Sequence, residues 1–209
     1  MATQQQPYPV TLTVDYPDRK LNRLTSFFRI FMAIPILIVI GLISSGNIEI
    51  GKDPFHWSLA TGGVIFLPLL LMIVFRQKYP RWWFDWNLAV SRFGLRVCSY
   101  LALMRDEYPS TDEEQYVHFN MEYPDAKNGI ERGMPLVKWF LAIPHYIVLW
   151  CLYVAVCFVV VIAWFAILFT GRYPKGLFDF VVGVQRWTVR VAGYAFLLVT
   201  DRYPPFDLI

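Results

Sequence analysis

Three long stretches without charge dominate the hydrophobic pattern of this chain. They cover residues 30–48, 54–75 and 139–171, and none of them contains Asp, Glu, Lys or Arg. A helix needs about 20 apolar residues to cross the hydrocarbon of a bilayer. The first two stretches therefore predict a transmembrane hairpin. Residues 44–56, which include Gly, Asn, Lys, Asp and Pro, are predicted to form the water-exposed loop that closes it.

The two halves of the chain repeat a series of motifs in the same order. The pairs are Asp15-Tyr16-Pro17-Asp18 with Glu122-Tyr123-Pro124-Asp125, Ala33-Ile34-Pro35 with Ala142-Ile143-Pro144, Tyr79-Pro80 with Tyr173-Pro174, and Asp106 with Asp201. An ordered series of this kind indicates an internal duplication. We predict repeat one at residues 1–110 and repeat two at residues 111–209.

The third uncharged stretch, residues 139–171, is too long for one ordinary span and short for two. A single span would place Tyr173-Pro174 of repeat two on the opposite side of the membrane from Tyr79-Pro80 of repeat one. We therefore predict a second, shorter hairpin with a tight turn near Val154. This arrangement keeps equivalent parts of the two repeats on the same side.

Positive charge is distributed unevenly around these four predicted spans. Of the 19 Lys and Arg residues, only Lys52 falls on the side of the hairpin loops. Cytoplasmic loops of membrane proteins carry an excess of Lys and Arg. We therefore predict a multi-pass protein of the plasma membrane with both termini in the cytoplasm. Its two repeats would be related by a pseudo-twofold axis along the membrane normal.

Shorter segments between the spans predict further elements. Val10–Val14 and Val117–Glu122 alternate apolar and polar residues, so each predicts a short cytoplasmic strand, and the two strands can pair across the pseudo-twofold. Trp86–Met104 and Phe180–Val199 have helical periodicity and predict amphipathic helices at the membrane interface. The expected fold class is an all-α membrane protein of two tandem repeats. Each repeat contains a transmembrane hairpin and an interfacial helix, with short cytoplasmic β-strands.

Each predicted interfacial helix carries a charged stripe on one face. The stripes contain Asp85, Arg92, Arg96 and Tyr100 in repeat one, and Asp179, Arg186, Arg190 and Tyr194 in repeat two. Their spacing stacks the side chains on one side of a helix. Three interpretations follow. The arginines reach lipid phosphates, or both stripes form one anion or headgroup pocket at the twofold, or each aspartate pairs with the arginines of its own helix.

Prolines and one histidine mark further positions of interest. Tyr-Pro occurs seven times and is expected at corners of the chain near the membrane surface. Pro35 and Pro144 are expected to kink the first span of each repeat. His145 lies in an apolar stretch and has no counterpart in repeat one. An ionisable group within a membrane is a candidate for a proton or ligand role; the alternative is contact with headgroups at the cytoplasmic end.

Composition agrees with a membrane protein and excludes several functions. Hydrophobic residues make up 56% of the chain and charged residues 17%, against about 45–50% and about 25% in soluble domains. No group of Cys, His or carboxylate residues has the spacing of a metal site, and no phosphate-binding glycine loop is present. We therefore expect no enzymatic activity, no cofactor and no metal. Nucleic acid is not an expected partner, because the aromatic and basic residues fall at predicted membrane interfaces.

The second half of the chain also carries a series of longer motifs. They are Ala142-Ile143-Pro144-His145, the run from Trp164 to Pro174, Gly176-Leu177-Phe178-Asp179-Phe180, and Asp201-Arg202-Tyr203-Pro204-Pro205-Phe206. Over about residues 138–206 this half resembles the bacterial membrane family catalogued as domain of unknown function 4389. Repeat one resembles the family more loosely, since Trp82-Trp83 replaces Gly176-Leu177. The resemblance implies a bacterial or archaeal plasma membrane and brings no activity or catalytic residues.

These observations lead to two functional hypotheses. The first is a non-enzymatic accessory or scaffolding subunit that binds membrane lipids, anionic ones in particular, and either a larger membrane complex or further copies of itself. The second is a small transporter, channel or lipid-moving protein with a pathway at the pseudo-twofold. Candidate lipid or anion ligands are the four stripe arginines with Tyr100 and Tyr194.

Overall fold

The computed structural model describes residues 8–44, 47–50, 57–111, 113–126, 129–131 and 133–208. Along these residues the elements, in chain order, are β1 (Val10–Val14), α1 (Arg23–Phe27), α2 (Arg29–Ser44), β2 (Asn47–Ile50), β3 (Trp57–Ala60), α3 (Thr61–Arg76), α4 (Arg81–Leu101), β4 (Val117–Met121), α5 (Met134–Leu141), α6 (Ile143–Thr170) and α7 (Lys175–Ala195). The described chain is mostly helical, as the hydrophobic pattern predicted.

The two strands predicted from alternation are present and pair with each other. Strands β1 and β4 are antiparallel, with Val10 opposite Met121 and Val14 opposite Val117. Their apolar side chains form one buried face that packs on Leu95 of α4 and Val189 of α7. Because side chains alternate across a strand, the intervening polar residues of β1 remain exposed. The pairing of the two predicted strands is thereby confirmed.

A second strand pair was not predicted. Strands β2 and β3 are antiparallel neighbours and lie in or beside the segment expected to be an irregular loop. Residues 45–46 and 51–56 of that predicted loop lie outside the described residues.

The two predicted amphipathic helices are confirmed as α4 and α7, but both begin about five residues earlier than expected. Pro80 and Pro174 precede their first turns, and proline before a helix fixes φ without removing an intrahelical hydrogen bond. Both helices end just before a leucine with positive φ, Leu103 at 62° and Leu198 at 54°. A left-handed residue cannot continue a right-handed helix, so the chain turns there.

Helix α6 is continuous, so the tight turn predicted near Val154 is wrong. Neither Gly nor Pro occurs between Pro144 and Gly171, where a φ of 73° ends the helix. Without such a residue each interior N–H and C=O is paired within the helix, whereas a turn among apolar side chains would leave several of these groups unpaired. Pro144 also differs from expectation, because it lies in the first turn of α6 and does not kink its interior.

Among the described residues, α6 is the one helix that is long and apolar enough to cross a membrane. Its 28 residues measure about 42 Å at the rise of an α-helix. Helices α2 and α3 have 16 residues each, fewer than the roughly 20 that a span needs.

Helix α6 lies alongside α7 in the opposite direction. The contacts join His145 to Trp187 near the start of α6, Tyr153 to Thr188 in its middle, and bring Ile167 into one buried cluster with Phe178 near its end. Arg186 of α7 donates a hydrogen bond to β1. Thr188, which contacts α6, lies about 200° further around α7, on nearly the opposite face of that helix. Helix α7 therefore separates α6 on one side from the sheet on the other.

Candidate functional site

A buried cation is held at the start of α2. Arg29 is 2% exposed, and its Nη2 lies 2.6 Å from Oδ1 of Asp106. Its guanidinium carbon stands 4.2 Å from the centre of the Tyr100 ring, and the guanidinium also donates to the carbonyl of Arg105. The second carboxylate oxygen of Asp106 accepts from the backbone N–H of Asn22. The cation therefore has a carboxylate, an aromatic face and a carbonyl as partners.

A second buried cation has the same set of partners. Lys138 in α5 is 0% exposed, and its Nζ lies 2.7 Å from Oδ1 of Asp201 and 2.7 Å from the carbonyl oxygen of Thr200. Nζ stands 5.1 Å from the centre of the Tyr194 ring. The other oxygen of Asp201 accepts from the N–H of Glu131. Burial lowers the pKa of Lys138, and the bond to Asp201 opposes this shift.

These two cation sites were not predicted, although the sequence contained a signal for them. Arg29 and Lys138, like Asp106 and Asp201, occupy matching places in the repeated motifs. Their partnership joins segments far apart in the chain, so it follows from tertiary structure alone. The sites also account for Tyr100 and Tyr194, which had been candidate lipid ligands. Each ring is 1% exposed and faces a buried cation.

The first arginine of each stripe binds a strand of the sheet. The Nε of Arg92 donates to the carbonyl of Phe119 in β4 at 2.9 Å, and the Nε of Arg186 donates to the carbonyl of Leu12 in β1 at 3.0 Å. These bonds satisfy strand carbonyls and fix each helix to one strand. Burial lowers the pKa of Arg186, with Arg190 contributing in the same direction.

The remaining stripe arginines have different partners in the two halves. Arg190 forms an ion pair with Asp207, with Nη1 at 3.0 Å from Oδ1. Arg96 is 4% exposed, and its Nη1 donates to the carbonyl of Ser110 at 2.9 Å. Arg92 and Arg96 line a cavity of about 410 Å³ to which neither Arg186 nor Arg190 contributes.

The aspartates of the stripes stay apart from the arginines. Asp85 and Asp179 are exposed, and within the described part of the chain neither forms an ion pair with an arginine of its stripe. A turn and a half or more of helix separates each of them from the next arginine, and the arginines are already engaged with the sheet.

His145 lies in a cluster of aromatic rings. It is 0% exposed, its ring stacks on Phe206 at a centroid distance of 4.0 Å, and its Nδ1 accepts from the indole N–H of Trp187 at 3.1 Å. Because Nδ1 accepts, the proton of the neutral ring lies on Nε2, which is buried without a hydrogen-bond partner among the described residues. The cluster ties the C-terminal segment to α6 and α7.

The Tyr-Pro corners interlock in two similar pairs. The hydroxyl of Tyr123 donates to the carbonyl of Tyr79 at 2.5 Å, and the hydroxyl of Tyr16 donates to the carbonyl of Tyr173. In each pair the donating ring also stands edge-on to a phenylalanine one turn into the following helix, Phe84 or Phe178. The corners thus join the segment that follows the strand of one half to the start of the amphipathic helix of the other half.

An apolar groove lies between α4, α6 and α7. Its volume is about 740 Å³. Polar groups are few along it; among them are Ser91, Gln185 and Thr188. A groove with this lining fits an extended apolar molecule better than a charged one.

Comparison with known proteins adds a family for the second half. The family model described as Domain of unknown function (DUF4389) matches residues 134–207. No curated protein and no solved structure matches the chain. The matched segment contains α5, α6, α7 and the Lys138–Asp201 pair, and it is less than half of the chain.

Proposed function

We propose that this chain is a membrane protein that lies against one leaflet, with α6 embedded in the membrane plane, and serves as a non-enzymatic accessory or scaffolding subunit of a larger membrane complex. The observation that carries the proposal is the apolar surface of α6 that the described residues leave uncovered. Trp150, Phe158 and Phe169 are each at least two-thirds exposed. Such a surface needs lipid or another membrane helix to cover it.

The packing of α6 supports an orientation in the membrane plane. Helices that cross at about 50° separate within a few turns, so contact along the whole of α7 requires nearly antiparallel axes. The far side of α7 carries Arg186, Arg190 and β1. If α6 stood across the bilayer, these charges and the sheet would lie at the depth of the hydrocarbon, which is unfavourable for both. An in-plane α6 leaves them in water.

Basic residues near the end of α6 support binding to anionic lipids. Arg23, Arg172 and Lys175 are exposed, and Arg23 donates to the carbonyl of Phe169, close to the end of the apolar helix. Each basic residue near an anionic membrane surface contributes about 1 kcal/mol to attachment. The aromatic ring of Trp164 lies at the same end, stacked on Phe27, as is typical of the headgroup layer.

The matched contacts support the proposed internal duplication. The two cation sites, the two arginine–strand bonds and the two Tyr-Pro corners each join residues at matching places in the two halves. In this proposal α6 replaces, as one helix, the pair α2 and α3 together with the segment between them.

Cysteine labelling in intact cells and inverted vesicles tests the orientation of α6. The three native cysteines, all free, are first replaced, and single cysteines are placed at Leu136, Val154 and Lys175. The one-leaflet proposal expects Leu136→Cys and Lys175→Cys to react from the cytoplasmic side and Val154→Cys to be protected from both sides. Reaction of Val154→Cys from outside would instead support the hairpin predicted from the sequence. Opposite sidedness of the two end positions would show a single span.

The same method tests the rest of the four-span prediction. In that topology Asn47→Cys reacts from outside. Protection of this position from outside, together with cytoplasmic reaction at Asp85→Cys and Asp179→Cys, would restrict the whole chain to one leaflet.

Mild-detergent purification tests the accessory role. We expect the chain to migrate on native gels with other membrane-protein subunits or with further copies of itself, together with anionic lipid. A lone monomer that retains no protein or lipid would refute this part of the proposal while leaving the orientation of α6 unaffected.

The apolar groove between α4, α6 and α7 favours a second candidate function, the movement or sequestration of lipid. Its lining suits an acyl chain, and its position between the two halves of the chain agrees with a pathway near the pseudo-twofold. Val160→Trp places a large ring in the groove. If the chain moves lipid, this substitution lowers lipid exchange in proteoliposomes, whereas Val161→Trp, on the exposed side of α6, does not. Equal exchange rates would exclude the groove as the pathway.

A further inference from the structure

We propose that Arg92 and Arg96 form a binding site for a small oxyanion of the phosphate or carboxylate type, in the cavity between α4 and β4. The cavity is lined on the helix side by the two arginines and on the other by Thr111, Val117 and Phe119. The proposal does not depend on the function proposed above, because the cavity lies on the sheet side of α4.

Arg96 is the central observation. Its side chain is almost fully buried, yet its one recorded hydrogen bond goes to a neutral carbonyl, that of Ser110. Its Nε is buried and has no hydrogen-bond partner among the described residues. Within the described ranges no carboxylate lies within ion-pair distance of it. A buried guanidinium without a counter-charge is unfavourable, so the site lacks an anion.

Arg92 completes the recognition geometry. It lies one turn before Arg96, so both side chains project from the same face of α4. Its Nε is used by the carbonyl of Phe119, and no bond from its Nη atoms to a described residue is recorded. Guanidinium groups bind phosphate and carboxylate through pairs of parallel hydrogen bonds. Two such groups facing one cavity suit an oxyanion better than a neutral ligand.

The corresponding pair in the other half shows which chemistry this arrangement binds. Arg190 is paired with the carboxylate of Asp207, and Arg186 donates from Nη1 to the carbonyl of Leu208 at 3.2 Å. The C-terminal segment thus supplies an oxyanion to the second arginine pair. The first pair, Arg92 and Arg96, has no such partner among the described residues and is open to an external one.

One acidic residue that lines the cavity, Glu114, and one that is its neighbour in sequence only, Asp112, bear on the proposal. Glu114 is at the rim, with its side chain 82% exposed and its carboxylate 3.6 Å from His118, so it does not neutralise the arginines. Asp112 lies outside the described residues. By sequence it follows Tyr108-Pro109 at the spacing at which Asp207 follows Tyr203-Pro204, so the chain itself contains a competitor that the experiment must address.

Titration calorimetry of the full chain in neutral-detergent micelles with inorganic phosphate tests the proposal. We expect one phosphate per chain. Arg92→Gln should weaken its binding about tenfold or more, because a charge-assisted hydrogen bond is lost. Arg186→Gln is the matched control, since it loses an equivalent bond to a strand carbonyl but serves a pair that is already filled. It should change phosphate affinity by less than about twofold.

A measurement of folding and a more conservative variant distinguish loss of the site from loss of the fold. Circular dichroism checks each variant. If Arg92→Gln does not fold, Arg92→Lys keeps the charge but loses the planar fork, and it should still weaken phosphate binding measurably. Equal weakening by the Arg92 and Arg186 variants would indicate a structural role and overturn the proposal.

A second arm distinguishes the source of the oxyanion. Vesicles of phosphatidylcholine with and without phosphatidylglycerol replace phosphate as the probe. Binding that requires phosphatidylglycerol and is lost in Arg92→Gln but not in Arg186→Gln, without affinity for free phosphate, identifies a lipid headgroup as the ligand. Absence of binding in both arms overturns the proposal. Phosphate binding that appears only in Asp112→Asn also overturns it, because the site would then be filled by the chain itself.

Discussion

The buried pair between Lys138 and Asp201 gives the sharpest prediction about stability. The two partners differ in exposure, since the side chain of Lys138 is 0% exposed and that of Asp201 is 20% exposed. Asp201→Asn leaves an ammonium group in a dry environment with one carbonyl and the face of Tyr194. Removing one partner of a buried ion pair costs about 3–5 kcal/mol, so we expect Asp201→Asn to fall in that range.

Replacing the cation of the pair should lower the free energy of unfolding by less than replacing the carboxylate does. Lys138→Met replaces the buried ammonium by an apolar group of similar length. The carboxylate of Asp201 that remains is partly hydrated and still accepts from the N–H of Glu131. A lost hydrogen bond to a charged group is worth about 1.5–3 kcal/mol, and the hydration that remains places Lys138→Met at the low end of this range. The double variant should be more stable than Asp201→Asn alone, because no charge then stays buried.

Equilibrium unfolding in neutral-detergent micelles, followed by tryptophan fluorescence, measures these differences. Trp139 reports locally, because its indole N–H donates to the carbonyl of Ala195 beside the pair. Arg19→Ala is the control. It breaks the exposed Arg19–Glu107 pair, whose side chains are 73% and 40% exposed, and should cost less than about 1 kcal/mol. A larger loss for Lys138→Met than for Asp201→Asn would refute the reasoning, as would a loss for Asp201→Asn no greater than that of the control.

Three further predictions follow from close contacts, burial and stacking. Gly193→Ala should destabilise the chain by about 1–3 kcal/mol, since its Cβ would lie 2.8 Å from a methyl group of Val10; Gly94→Ala, with open space around it, should stabilise by about 0.5–1 kcal/mol in the same unfolding assay. Burial raises the pKa of Tyr116 from 10.0 to about 12. The folded chain therefore retains this proton when the unfolded chain loses it, so stability on the order of 2–3 kcal/mol that is present below pH 10 is lost as the pH rises through 12. Tyr116→Phe should flatten the alkaline limb of the stability curve. Phe206→Ala removes the ring stacked on the buried histidine and should make the C-terminal segment sensitive to limited proteolysis, whereas an unchanged cleavage pattern would show that the stack does not hold it.

The amphipathic helices and the strands were predictable because their causes are local. The alternation of apolar and polar residues predicted β1 and β4, and a 3.6-residue period of apolar residues predicted α4 and α7. Neither signal depends on the rest of the chain. The starts of these helices were misplaced because the prediction gave no weight to Pro80 and Pro174 as positions before a first turn.

The turn predicted near Val154 rested on the assumption that the two repeats have equivalent topology, and that assumption gave the wrong result. The comparison of the two halves required a hairpin, but the apolar segment from Ile143 to Thr170 contains no residue that stops a helix. Backbone hydrogen bonding within the segment determined the outcome. A break in the apolar run, such as the one that separates α2 from α3, would have been a better criterion than symmetry.

The candidate site was predictable only in its residue types. The sequence identified Arg92, Arg96, Arg186 and Arg190 as a set and left three partners open for them: lipid phosphates, one common anion pocket, or the aspartates of their own helices. In the structure two of them bind strand carbonyls and one is paired with Asp207. The fourth is buried, with no counter-charge among the residues that the structure describes. Periodicity specifies which side of a helix a residue occupies but not what lies against that side.

The sequence by itself indicated the apolar stretches, the two amphipathic helices, the two strands and the family resemblance over about residues 138–206. Each of these depends on the order of residues over a short window. Only the tertiary structure decided that Arg29 meets Asp106, that Lys138 meets Asp201, and that α6 lies along α7. The two ion pairs join residues more than sixty positions apart, and the packing of α6 on α7 joins two separate helices. Burial, which makes an unpaired charge costly, exists only once the chain has folded.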